Sequence, residues 1–240
     1  MEKIVPETKI IQTEELLNTI NNSNTIIIDI RNPDAYNGWK EDNELRGGHI
    51  KNAKNLPYKW SKYIDWIEII KSKNIVPEAS LVIYGYDKQK IDTIAEQLKK
   101  LQYNNISVYY NFKEEWSANS ALPMENLPKF KHLVPSNWVH SLIKTKKVPE
   151  TNSTQFVICH CHYQNREDYE LGHIPGAIEI DSNTLESQET WNRKSPHELK
   201  EAFEAHGITY DTTVIVYGRF SNPDNNDPFP GSSAGHLSSI

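Results

Sequence analysis

The chain has 240 residues, a formal net charge of −6 and a pI of about 5.9. An acidic balance with no basic stripe argues against a nucleic-acid or anionic-membrane partner. A hydrophobic content of 37% beside 24% charged residues is that of a soluble globular protein, and no apolar run nears the roughly 20 residues of a membrane-spanning helix. The N-terminus, Met1 to Pro6, has no apolar signal core. The chain as given therefore reads as cytoplasmic, although earlier removal of a secretion leader would leave the same sequence.

Lys9-Ile10-Ile11 is a short apolar entry, and Thr13 is placed to cap a helix through about Ile20. Thr25 to Ile30 is a continuous β-branched run of strand length, which suits a strand covered on both faces of a parallel sheet. Asn32-Pro33 ends it, and residues 37–47 read as a polar surface loop. Lys54 to Pro57 predicts a short strand. The period of Trp60, Tyr63, Ile64, Ile67 and Ile70 predicts a helix over 60–71. Leu81 to Tyr84 is the next buried strand, Ile91 to Leu101 a helix, Ile106 to Tyr109 a closing strand, and Phe112 to Trp116 a closing turn. Strands alternating with helices give an α/β domain with a largely parallel sheet.

Residues 119–135 hold Pro123, Pro128 and Pro135 and little periodicity, and read as a linker. Ser136 then caps a helix carrying Trp138, Val139, Leu142 and Ile143. Phe156 to Cys161 is a strand, Ser195-Pro196-His197-Glu198 is a capping box with Pro at the first helical position, and Thr213 to Tyr217 is another buried strand. A long loop from Gly218 to Gly235 follows, and Ala234 to Ile240 reads as the first turn of a further helix. The division is thus 1–118, linker 119–135, and 136–240, the last incomplete at its C-terminal end.

Two stretches repeat. Asp29-Ile30-Arg31, then Tyr36, then Gly48-His49-Ile50 returns as Tyr169, then Gly172-His173-Ile174-Pro175-Gly176-Ala177, with the two His residues 124 positions apart. A period that long marks two copies of a domain. The pattern of acidic-Ile-Arg, aromatic and Gly-His-Ile-x-x-Ala resembles the rhodanese superfamily. The second copy, with Glu189-Thr190-Trp191-Asn192 and Val214 to Arg219, looks like the non-catalytic halves of tandem thiosulfate and 3-mercaptopyruvate sulfurtransferases. The pair resembles the front part of a bacterial three-domain rhodanese. The resemblance implies sulfane-sulfur transfer through a cysteine persulfide. It places that cysteine directly after a central strand, beside a helix N-terminus that lowers the thiol pKa.

Those positions are Gly85 and Gly218 here, and glycine carries no nucleophile. The expected function is the non-catalytic portion of a sulfurtransferase whose persulfide cysteine lies outside this chain. The alternative is a catalytically silent module that binds a persulfide-carrying partner through the backbone donors of its loops. The only thiols, Cys159 and Cys161, stand in Cys159-His160-Cys161-His162. Alternation along a strand places the cysteines on one face and the histidines on the other, so four ligands do not converge on one tetrahedral metal. Neither thiol sits at a recognisable helix N-terminus, and both are weak candidates. His49 and His173 read as parts of a structural turn, and Asp29 with Arg31 as an ion pair near the core. The aromatics Trp39, Tyr58, Trp60, Tyr63 and Trp66 read as core and interface. No cofactor or metal is implied. The expected partners are a sulfur donor or acceptor, protein or small molecule, and the chain's own C-terminal continuation.

Overall fold

The computed structural model describes residues 8–218, and these fall into two compact units that divide between Pro135 and Ser136. In the first unit, β1 (Lys9–Ile10) leads into α1 (Thr13–Thr19). Thr13 is the first helical residue rather than the cap, because its hydroxyl is engaged by Tyr109 and Glu115. Then come β2 (Thr25–Asp29), α2 (Pro33–Asn37), β3 (His49–Ile50) and β4 (Lys54–Asn55). The Asn32-Pro33 pair ends the strand and also opens α2, since Pro at the first helical position gives up no hydrogen bond. The segment predicted as one helix over 60–71 is a 3-10 turn, Tyr58–Lys62, followed by α3 (Trp66–Ser72). Next are β5 (Ser80–Tyr84), α4 (Lys88–Lys100) and β6 (Ile106–Tyr109).

Five of these strands form one sheet in the order β1-β6-β5-β2-β4, every pair parallel. The central strands are covered on both sides, which is why β2 is β-branched from Thr25 to Ile28 and β5 is apolar or aromatic from Leu81 to Tyr84. On one face Ile28, Ile83 and Val108 pack with Ile70 of α3 and Ile91, Ile94 and Leu98 of α4. On the other, Ile27, Val82, Tyr84 and Tyr109 pack with Leu16 of α1, Phe112 and Trp116.

The segment read as a linker over 119–135 belongs to the first unit. Leu122 is buried in its core, and β7 (Met124–Glu125) pairs antiparallel with β3. The polar loop over 37–47 is likewise more than surface. Arg46 reaches from it to the carbonyls of Trp116 (2.6 Å), Ser117 (3.0 Å), Asn119 (2.6 Å) and Leu122 (3.0 Å). Five guanidinium N–H donors in a fixed fork suit such a cluster of turn carbonyls.

The second unit holds α5 (Ser136–Thr145), β8 (Phe156–His162), α6 (Arg166–Leu171), β9 (Ile178–Asp181), α7 (Pro196–Ala205) and β10 (Thr213–Gly218). The capping box at Ser195 is formed as expected, with Pro196 at the first helical position. The sheet is parallel, in the order β10-β8-β9. It repeats the β5-β2-β4 part of the first sheet. The expected loop and helix turn past Gly218 lie outside the described residues.

Replacing Arg46 by Ala removes a donor from four turn carbonyls, of which those of Trp116 and Asn119 keep a backbone amide each. The expected cost is about 1–2 kcal/mol, concentrated in faster hydrogen exchange over residues 116–125 while the amides of β5 keep their protection.

Candidate functional site

In an open parallel sheet, ligands and chemistry gather beyond the carboxyl ends of the strands. In the first unit that place is occupied by a closed polar knot. Arg31 is buried and bridges Asp29 through Nε (3.0 Å) and Nη2 (2.6 Å), Glu44 through Nη1 (2.9 Å), and the Gly48 carbonyl (2.5 Å). Its guanidinium lies 4.2 Å from the Phe112 ring centre. Burial works against the Arg31 charge, and Asp29 with the neighbouring tyrosines more than offsets it, so the proton is held more tightly than in free arginine. Burial pushes Glu44 up to about 7 even though Arg31 stands beside it.

The Gly-His-Ile turns are built identically in both copies. The His49 ring stacks on Tyr36 at 3.8 Å and the His173 ring on Tyr169 at 3.9 Å. Each His Nδ1 meets the carbonyl of that tyrosine, at 2.7 and 2.9 Å. Each tyrosine hydroxyl donates onward, Tyr36 to the Ala53 carbonyl and Tyr169 to the Ala177 carbonyl. The turn is tied to the strand end by a second tyrosine. The Ile50 amide donates to the Tyr84 hydroxyl (3.0 Å), and the Ile174 amide to that of Tyr217 (2.9 Å). Both histidines are thereby committed to a turn.

Gly85 sits directly after β5. A Cβ there would stand 2.7 Å from Cγ1 of Ile30, closer than packed atoms approach. The helix N-terminus beyond it is also taken. The Asp87 carboxylate accepts from the amides of Gln89 (2.8 Å) and Lys90 (3.1 Å), capping α4. Tyr86 lies over Arg31, its hydroxyl 3.1 Å from Nη1. These amides are therefore not free for an external anion, which weighs against the anion-binding form of the silent-module alternative for this loop. In the second unit Gly218 is the last described residue and ends β10.

Cys159 and Cys161 face the core with Ile180, Leu185 and Ile208, and the histidines face the other way, His160 toward Tyr169 and Tyr217 and His162 toward Glu179. Burial pushes both thiols up to about 12, and Cys161 Sγ points at the Cys159 carbonyl of its own strand. Such thiols are not thiolates near neutrality and are poor nucleophiles. Among the described residues, no group of three His, Cys, Asp or Glu side chains is placed to hold a metal ion, and no helix is long and apolar enough to cross a membrane. Trp66 is buried in the core, Tyr58 and Trp60 pack against it, and Trp39 stacks edge-on against Phe130.

Sequence reasoning missed Glu44, Arg46, Tyr86 and Asp87. Asp87 had a signal, as an acceptor residue immediately before a helical period. Glu44 and Arg46 had none, because a polar loop says nothing about which of its charges turn inward.

The rhodanese-like domain model matches residues 12–119 and again 137–227. The chain is 32% identical over 206 residues to the thiosulfate sulfurtransferase YnjE of Escherichia coli (strain K12), covering 85% of this chain and 46% of that protein. It is similar to the wild-type structure of EanB, with 47% identity, a TM-score of 0.86, and coverage of 99% of this chain and 55% of EanB. An EanB variant in complex with ergothioneine matches at 48% identity and a TM-score of 0.85, over 96% of this chain and 54% of EanB. Another, with ergothioneine covalently linked to a cysteine persulfide, matches at 48% and 0.86 over the same shares. The chain thus spans about half the length of these relatives. Two matched copies, which share the three-strand order β5-β2-β4 and β10-β8-β9 and the same tyrosine-tied turn, place this chain in the rhodanese-like domain family as a tandem pair.

Proposed function

We propose that this chain is the non-catalytic front of a rhodanese-type sulfurtransferase and that the cysteine carrying the persulfide lies outside it. The observation that carries this reading is the state of the two thiols and of the Gly85 loop. Cys159 and Cys161 are buried with raised pKa values, and the family's nucleophile position after β5 holds a glycine with no room for a side chain. A missing nucleophile is not offset by binding.

The acceptor we favour is hercynine or a close imidazole betaine. The EanB structures, at 47–48% identity, include complexes with hercynine and with ergothioneine, and the identity to the thiosulfate sulfurtransferase is lower. Ergothioneine differs from hercynine by one sulfur on the imidazole ring. The outer sulfur of a cysteine persulfide (R–S–SH) bonds to the ring carbon, the S–S bond breaks, and the ring C–H proton goes to the departing thiolate. The products are R–SH and the ring thiol, whose thione is its tautomer. Carbon is oxidised and the sulfane sulfur reduced, so no further oxidant is needed. In this reading the two domains described here shape and support the site without taking part in the bond changes.

Two measurements test the proposal. A chain that carries these two domains together with the proposed persulfide cysteine, given polysulfide and hercynine, is expected to form ergothioneine, read by mass spectrometry. Thiocyanate formation from thiosulfate and cyanide without any ergothioneine would move the acceptor to the thiosulfate type. The 240-residue chain alone is expected to show neither activity. Gly85→Cys is expected to remain at the uncatalysed background in the thiocyanate assay, because the new thiol collides with Ile30 and the neighbouring amides are held by Asp87. Turnover by that variant would overturn the account of the loop.

A further inference from the structure

Among the described residues five buried side-chain polar atoms have no hydrogen-bond partner, and three belong to one pair of histidines: Nδ1 and Nε2 of His160 and Nδ1 of His162. His160 is 4% exposed and His162 5%. A polar atom buried without a partner costs stability, and a charge placed there costs more.

The strand register shows what these histidines replace. His160 lies opposite Tyr217 on β10, as Asp29 lies opposite Tyr84 on β5. Counting on along the strand, His162 stands where Arg31 stands. The first unit therefore fills these positions with a permanent ion pair, and the second with two titratable rings. Tyr84 donates its hydroxyl to Asp29 at 2.7 Å, whereas no hydrogen bond joins Tyr217 to His160 even though their ring centres are 4.9 Å apart.

The charges around the pair are unevenly shared. On β9, Glu179 meets His162 Nε2 at 2.9 Å and Asp181 stands 4.0 Å from its Nδ1. Arg166 of α6 also takes Glu179, at 2.8 Å. Asp168 and His173 act on His160 only through the field, and Tyr169 presents its ring at 5.7 Å. A proton on His162 has carboxylates to receive it. Among the described residues a proton on His160 has none in hydrogen-bond reach, and it lies one ring away from His162.

We propose that the His160–His162 pair makes the second domain acid-labile: a proton taken up by His160 finds no buried partner, and β8, β9 and β10 loosen together. Burial first, and His162 second, hold His160 below the usual 6.5. The unfolded chain therefore takes up this proton before the folded one. The stability contributed is present above about pH 6.5 and is lost as the pH falls below it. In the first domain two buried groups act in opposite senses. His49 is lowered by burial and loses stability on acidification, whereas Glu44, raised to about 7, gains it. The device is independent of which sulfur acceptor the protein uses.

Hydrogen exchange of the whole chain, read by mass spectrometry between about pH 7.5 and about pH 5.5 and corrected for intrinsic rates, tests this. Peptides from β8 and β10 should lose protection on acidification, by up to about tenfold per pH unit for one proton. His160→Asn, which cannot take the proton, should abolish that fall. Should the variant not fold, the NMR titration of the wild-type His160 ring decides, with exposed His197 as reference. A His160 titration below that of His197 supports the proposal. Coincident titrations, or an undiminished fall in His160→Asn, would overturn it.

Discussion

The interaction on which both domains depend is a tyrosine hydroxyl at the end of a parallel strand. Tyr84 and Tyr217 each accept the backbone amide of the isoleucine in a Gly-His-Ile turn. That contact fixes the turn beyond the strand ends, and the stacked His and Tyr rings then lock it from its other side. A single buried hydrogen bond is worth only about 1 kcal/mol, but here it sets the position of an entire loop. The repeat seen in the sequence is thus a repeat of a fastening.

What lies beneath the fastening differs. In the first domain the Tyr84 hydroxyl donates on to Asp29, which holds Arg31, which holds Glu44 and the Gly48 carbonyl. Every polar group in that chain has its partner, which is the condition under which a buried network rigidifies its surroundings. Removing one partner from such a pair costs about 3–5 kcal/mol, because the charge left behind stays buried. In the second domain the same strand positions carry His160 and His162, and the network stops at the tyrosine. Two domains with one fold and one fastening therefore have different electrostatic floors.

Much of the fold was legible because its strands are short β-branched runs separated by helical periods. Thr25 to Ile30 and Leu81 to Tyr84 could be little else. The misses have a common cause. Pro33 fits both the end of a strand and the first turn of a helix, and the residues after it have no apolar period to decide. Leu122 and Met124 sit among prolines, and only the tertiary pairing of β7 with β3 gives them a place. At the candidate site the absence of a thiol at Gly85 was plain from the sequence. The closing of the loop was not, because the contact between Gly85 and Ile30 joins two different strands.

That closing decides what the loop after β5 can hold. An active loop of this kind needs a side chain at the strand end, backbone amides free to receive a developing negative charge, and a helix dipole aimed at it. Here the first is sterically shut by Ile30, and the second is satisfied within the chain by Asp87. The same Asp87 carboxylate that takes up these amides caps α4 and stabilises it. Tyr86, laid over Arg31, then roofs the ion pair that an open loop would leave nearer to water. Ile30, Asp87 and Tyr86 together close this strand end, and a thiol placed at Gly85 alone would still lack free amides around it.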